Sequence, residues 1–358
     1  MSIRESTIVD PQPQSGAQGE PRTDAVCAPA LKSVTVLVPS YKRVDCLEKC
    51  LRALGGQRHP ADEILVVVRD TDAETQAFLA ASPLARVAGF RQVPVCTGGV
   101  VAAMNAGLAA STGDIVALTD DDATPRPDWL EKIVGHFASD ERVGGVGGRD
   151  WLPPEVMGHD TETDVVGKVQ WFGRCIGNHH RGVGPVRDVD FLKGVNCSYR
   201  GDVLRRIGFD TRLRGPGAQV HWELALGLAL RREGWSLLYD PSLVVDHYPA
   251  VRHDADQNNR RGGVFSPSAH VDAVCNQTIA LWEHLPPTRR PAFLLWSVLI
   301  GTRGEPGALQ FVRALRRDRH ARARLSATLR GLILGIKDAN SHPHCDSATA
   351  PVRADSDL

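Results

Sequence analysis

From Lys32 onward the chain alternates short β-branched apolar runs with helix-period stretches, and this rhythm restricts the fold more than any other feature. The runs are Val34 to Val38, Ile64 to Val68, Phe90 to Val95 and Ile115 to Thr119. Helical patterns lie between them over Val44 to Leu54, Ala73 to Ala81 and Val100 to Ala110, and another follows from about Asp128 to Ala138. Regular strand and helix alternation builds βαβ units, so the expected class is α/β with a Rossmann-like, mostly parallel sheet and flanking helices. In such sheets ligands sit beyond the carboxyl ends of the strands, which is where chemistry is sought.

After Gly148 the rhythm fails, and residues 150–190, with Pro153-Pro154 and His179-His180 among them, read as a variable, mobile loop region with solvated histidines. Patterning resumes at Phe191, with helices near Asp202 to Ile207 and Trp222 to Arg232 and extended runs at 237–239 and 243–245. Beyond about Asp272 the chain reads as helical and arginine-rich. Residues 1–31 and 339–358 lack periodicity and read as disordered tails. The expected organisation is a folded body over 32–271, in halves 32–148 and 149–271, followed by a helical region over 272–338.

Composition removes several classes of function. Lys plus Arg equals Asp plus Glu at 42 each, so no global field draws the protein to nucleic acid, and no nucleic acid partner is expected. The cysteines form no C-x-x-C pair and read as reduced thiols, with Cys46 and Cys50 joining Leu47, Leu51 and Leu54 on one helical face. No continuous apolar run marks a secretory signal in the first 31 residues, so a cytoplasmic location is expected. The longest apolar run, Ala292 to Ile300, is well short of the roughly 20 residues a membrane span needs.

The sharpest chemical feature is Asp120-Asp121-Asp122, at the end of the apolar run Ile115 to Leu118. Three adjacent carboxylates repel one another unless a cation offsets them, and hard oxygen ligands suit Mg²⁺ or Mn²⁺. Taken alone, the triplet reads equally well as a solvated turn, with Asp128 as the N-cap of the following helix.

Further blocks surround it: Val36-Leu37-Val38-Pro39-Ser40-Tyr41-Lys42-Arg43, Thr97-Gly98-Gly99 with Ala103-Met104-Asn105-Ala106-Gly107-Leu108, Lys193-Gly194-Val195-Asn196-Cys197-Ser198, Phe209-Asp210, Tyr239-Asp240-Pro241 and Val245-Asp246-His247. In content and order they resemble family 2 of the glycosyltransferases, which share the GT-A fold, over roughly residues 32–250. The resemblance implies a nucleotide-sugar half over 32–148 and an acceptor-side half over 149–271. It implies donor contacts from Pro39, Ser40, Tyr41, Arg43, Gly98, Gly99, Asn105, Asp120 and Asp121, and a metal held by Asp120, Asp122 and His247. Lys193, Gly194, Asn196 and Trp222 become acceptor-side residues. Glu223 takes the place of the catalytic base, with Trp222 where relatives carry another acid; an alternative alignment makes Glu223 that first acid and leaves Leu224 at the base position. Where many relatives pair an acid with the nucleobase, this chain has Arg69-Asp70, so either Asp70 or Asp72 substitutes, or Arg69 meets a phosphate.

The implied reaction is metal-dependent, inverting transfer from a nucleotide-diphosphate sugar to the hydroxyl of a glycan, a lipid-linked glycan or a small-molecule aglycone. Two other readings are a sugar nucleotidyltransferase, although Ser40-Tyr41-Lys42-Arg43 lacks its Gly-rich phosphate loop, and a non-catalytic nucleotide-sugar-binding protein. No G-x-G-x-x-G follows the first strand, against a dinucleotide-dependent oxidoreductase. Leu315, Leu325, Leu329 and Leu332 recur near helical spacing among arginines, which reads either as a basic amphipathic face lying on the inner surface of the membrane or as helices packed on the catalytic domain.

Overall fold

The computed structural model describes residues 33–157, 161–251, 253 and 265–341, and the two tails expected to be disordered lie almost wholly outside them. The first half runs β1 (Val34–Ser40), α1 (Val44–Gly55), β2 (Glu63–Arg69), α2 (Ala73–Ala81), β3 (Phe90–Val95), α3 (Val100–Ala110), β4 (Ile115–Leu118), β5 (Ala123–Pro125), α4 (Trp129–Ser139) and β6 (Val143–Trp151). The second half contains α5 (Pro154–Met157), β7 (Lys168–Val169), β8 (Cys175–Ile176), β9 (Arg187–Asp188), β10 (Cys197–Arg200), α6 (Gly201–Ile207), α7 (Trp222–Arg232) and β11 (Ser236–His247). The helices α8 (Pro267–His284), α9 (Arg290–Leu299), α10 (Ala308–Ala314) and α11 (Ala321–Ser341) follow, so the helical region starts before Asp272 and continues past residue 338.

The main sheet has the order β3-β2-β1-β4-β10-β6-β11-β5, with β9 also pairing to β11. Strands β1, β2, β3 and β4 pair in parallel, as do β6 and β11, while β10, β5 and β9 run against their neighbours. Side chains alternate across it: Val34, Val36 and Val38 point to the face covered by α1 and α4, while Leu37 points to the face covered by α3. With both faces covered, the central strands are apolar throughout, which makes them visible in the sequence.

Two central strands escape sequence patterning. β6 reads Val143-Gly-Gly-Val-Gly-Gly-Arg-Asp-Trp151, a composition poor in strand formers. Its glycines answer to crowding, since a Cβ on Gly148 would overlap the carbonyl of Leu243 on the neighbouring strand. β10 is only four residues long and is held centrally by β4 and β6 on either side. The separate runs at 237–239 and 243–245 are one strand, β11, whose pairing to β6 shifts register between Asp240 and Val244, around Pro241.

Residues 161–190 are more ordered than the sequence suggests. β7 and β8 form a small hairpin, and His179, expected in a solvated loop, is buried. Its ring Nε2–H donates to the Phe191 carbonyl at 3.1 Å, while the Tyr239 hydroxyl donates to the His179 carbonyl at 2.8 Å. Burial pushes the His179 pKa down to about 4.

Asn196 belongs to the core and not to an acceptor surface. It is fully buried; its Oδ1 accepts from Trp129 Nε1 at 2.9 Å and its Nδ2 donates to the carbonyls of Leu243 at 2.9 Å and Arg149 at 3.2 Å. These bonds tie α4, β11 and β6 to the segment entering β10. Asn196→Ala strands a buried indole N–H and two carbonyls, and is expected to destabilise the fold by about 3 kcal/mol. Urea titration checks it; a loss below about 1 kcal/mol would mean that water replaces the amide.

In the C-terminal region α11 lies along α8, with Gly331 against Val274 and Gly335 against Thr278. Leu332 is buried in the core and Leu329 packs against it, while Leu325 is half-buried and Ile333 exposed, so much of the apolar side of α11 is already covered. Among the described residues no helix is long and apolar enough to cross a membrane.

Candidate active site

Strand β4 ends at Leu118, and the acidic triplet forms the turn into β5. β5 pairs antiparallel with the end of β11, His247 opposite Ala123, which carries the imidazole to Asp122. One atom each from Asp120, Asp122 and His247 lie within 4.8 Å of one another. The three acids have different environments. Asp120 is half-exposed, Asp121 is fully buried and Asp122 is 7% exposed.

Asp121 is spent internally: its Oδ2 accepts from the Ser40 hydroxyl at 2.8 Å and from Arg43 Nε at 3.2 Å. It therefore positions Ser40 and Arg43 and is not exposed to a donor, and burial pushes its pKa up to about 7 against the pull of Arg43. Asp122 Oδ2 accepts from Arg43 Nη1 and from the backbone N–H of Ala250, both at 2.9 Å. Its other oxygen, Oδ1, is buried, makes no hydrogen bond and lies 3.4 Å from His247 Nε2. A buried carboxylate oxygen without a hydrogen bond, beside an imidazole nitrogen and a half-exposed carboxylate, is a donor set that fits Mg²⁺ or Mn²⁺.

Sequence reading missed Asp150. This residue stands at the end of β6, and its Oδ1 lies 2.8 Å from His247 Nδ1, fixing the ring so that Nε2 faces the acids. The signal lay in a strand that was itself illegible. Burial opposes the imidazolium, but its contacts with Asp122 and Asp150 prevail and raise the His247 pKa to about 10. In the metal-free chain this raised pKa stabilises the fold fully below the usual value of 6.5, and the contribution is lost as pH rises through about 10. Since a metal takes a neutral imidazole, Mn²⁺ binding near pH 7.5 is expected to release about one proton. Calorimetry in buffers of different ionisation enthalpy checks it, and no buffer dependence would remove His247 from the ligand set.

A cleft lies beside the triplet, lined among others by Pro39, Tyr41, Arg43, Arg69, Gly99 and Asp120. The Arg69 guanidinium stacks 4.6 Å from the centre of the Tyr41 ring and covers Gly98. Asp72 has a different task from the one considered for it: it caps α2 and accepts from the Lys42 backbone N–H at 2.6 Å, holding that residue at φ 55°. Asp70 is exposed and is not part of the cleft wall. Asn105 is also turned away, its amide exchanging hydrogen bonds of 2.9 and 3.0 Å with the backbone of Phe209.

A second, larger cavity of about 640 Å³ is lined by residues of the second half of the chain and the C-terminal helices and shares Ala218 with the cleft. Glu223, in the first turn of α7, lines it, with Lys193 Nζ 3.4 Å from its Oε1. Asp150 also lines it, so this cavity reaches the residue that orients His247. Trp222 is buried against Gly194 and packs edge-on to Phe209, with centroids 5.5 Å apart, so it is a core residue outside the cavity wall. The C-terminal region closes the far wall with His270, Glu305 and Arg324. Nothing in the sequence announced that contribution.

Residues 35–166 match the model of Glycosyl transferase family 2. The pre-mycofactocin glycosyltransferase of Mycobacterium tuberculosis is 27% identical over 289 residues, covering 78% of this chain and 54% of that protein. The glucosyl-dolichyl phosphate glucuronosyltransferase of Haloferax volcanii is 29% identical over 151 residues, covering 39% of this chain and 45% of that protein. The chain thus spans about half the length of these curated relatives. Among solved structures, GalNAc-T7 with UDP, GalNAc and Mn²⁺ superposes with a TM-score of 0.58 at 11% identity, covering 84% of this chain and 58% of that one, a likeness of fold. The segment carrying β1 to β6 is thus similar to family 2 of the glycosyltransferases, and the fold built around it is of the GT-A type.

Proposed function

We propose that the protein transfers a sugar from a nucleoside-diphosphate donor to an acceptor hydroxyl with inversion at the anomeric carbon. The observation that carries this reading is the Asp120, Asp122 and His247 cluster, whose Asp120 lines the smaller cleft while Asp150, the partner of His247, lines the adjoining cavity that also contains Glu223. Arg69 and Tyr41 provide a cationic and aromatic wall for the nucleotide. Asp120, Asp122 and His247 would hold Mg²⁺ or Mn²⁺, which when bound offsets charge developing on the diphosphate. Glu223 takes the acceptor proton, the freed oxygen pair forms the new bond to the anomeric carbon, and the bond to the diphosphate breaks. Lys193 holds the Glu223 carboxylate in place from the acceptor side.

The acceptor is a glycan, a lipid-linked glycan or a small aglycone; two relatives are named for pre-mycofactocin and for glucosyl-dolichyl phosphate, which makes both useful acceptor arms. Incubation with a panel of UDP- and GDP-sugars and Mn²⁺ tests the reading, with nucleoside diphosphate release and the anomeric configuration of the product as readouts. A retained configuration would overturn the single displacement, and no stabilisation or turnover with any donor would overturn the transferase reading.

A further inference from the structure

Apart from Ile333 of α11, the exposed large apolar side chains described in the C-terminal region lie on α9 and around α10, next to the β7–β8 hairpin, and these three pieces adjoin one another. The tip of the β7–β8 hairpin places Trp171, which is 63% exposed, edge-on to Phe172 at 5.5 Å, and Phe172 packs at 5.3 Å on Trp296 of α9. Along α9, Leu295, Val298 and Leu299 form an exposed stripe at helical spacing. Beyond the turn, Leu309 and Val312 of α10 are also exposed. One surface cleft joins these pieces, bordered by Arg174, Trp296, Ile300, Arg303 and Gln310.

The charge around this surface has a single sign. Arg174, Arg303, Arg313, Arg316 and Arg317 are exposed, and none is paired with a carboxylate among the described residues. The two acids of residues 289–330 are engaged elsewhere: Glu305 accepts from Gln277 at 2.9 Å and Asp318 pairs with Arg324 at 3.1 Å. Aromatic rings at a polar boundary, an exposed aliphatic stripe and unpaired guanidinium groups match the depth profile of a lipid headgroup region. They suit a protein partner less well, since unpaired arginines would each need an acid from it.

We propose that this face docks on an anionic lipid bilayer. Gly304 lines both the surface cleft and the 640 Å³ cavity, so docking sets the acceptor cavity beside the bilayer. Resting on the transferase reading, this makes a lipid-linked hydroxyl compound the acceptor class.

The test is sedimentation of the full chain with vesicles containing phosphatidylglycerol and with vesicles of phosphatidylcholine alone. Binding to the anionic vesicles and not to the neutral ones is expected. The triple change Arg303→Glu, Arg316→Glu and Arg317→Glu is expected to weaken binding at least about a hundredfold, and Leu295→Ser with Leu299→Ser about tenfold. These residues are exposed, and unchanged melting temperatures show that the variants fold. A chain left in the supernatant at low salt overturns the proposal, and so does vesicle binding that both sets of changes leave intact. Light scattering separates the other occupant: a dimer split by Leu295→Ser and Leu299→Ser, without vesicle binding, means that a second copy covers the face. UDP and GDP with Mn²⁺ are tested on the vesicle-free chain. Failure of both to bind counts against the transferase reading and leaves the vesicle result standing.

Discussion

Asp122→Asn is expected to lower sugar transfer about a thousandfold at a metal concentration that saturates the unaltered chain. Asp122 contributes the buried oxygen without a hydrogen bond that faces His247, and an amide there lacks the charge that draws in a divalent cation. Arg43 keeps its ion pair with Asp121 in this variant, so the turn retains its anchor and the melting temperature should move by only a few degrees. Turnover, melting and Mn²⁺ titration together check the prediction. If turnover persists while Mn²⁺ affinity is lost, the reaction does not depend on this cluster.

For Glu223→Gln the expected result is a fall in kcat of at least about a hundredfold with little change in donor affinity. The amide keeps the shape and the contact with Lys193 Nζ but cannot accept the proton of the attacking hydroxyl. The half-buried setting in the first turn of α7 argues for a small stability change, because the core side of that helix is made by Trp222, Leu224 and Leu226. Donor hydrolysis gives a second readout, since water can replace the acceptor. Equal loss of affinity and turnover would assign Glu223 to binding, and an unchanged kcat would reassign the base.

The parts of the fold that were legible in the sequence are those in which local pattern and tertiary burial agree. β1, β2 and β4 are apolar because both faces of the sheet are covered, and the helices between them carry clear periodicity. β6 was illegible because crowding by Leu243 and Tyr199 selects glycine over the residues that mark strands. Asp150 was hidden with it, and its role depends on pairing between β6 and β11, two segments far apart in the chain. The acidic triplet was visible as a group, but the separation of Asp121 from Asp120 and Asp122 follows from where Ser40 and Arg43 sit. Asn105 and Asn196 lie inside recognisable blocks, and Trp222 beside Glu223, yet all three serve packing, since sequence position cannot show which way a side chain turns.

The segment between α6 and α7 does two jobs at once. Gly217 and Gln219 accept from the first backbone N–H groups of α3, at 2.8 Å to Val100 and 3.0 Å to Val101, while His221 begins α7 and thereby sets Glu223. Gln219 and His221 adopt left-handed backbone, φ 40° and 75°, conformations disfavoured for residues other than glycine that the surrounding contacts must offset. A displacement at the start of α3 would therefore be passed to the start of α7, where the proposed base Glu223 stands. On the proposed reading, with a nucleotide at α3 and an acceptor at α7, any such coupling would have to be reciprocal: whatever free energy one ligand contributes to aligning the segment, the other receives, whichever of them binds first.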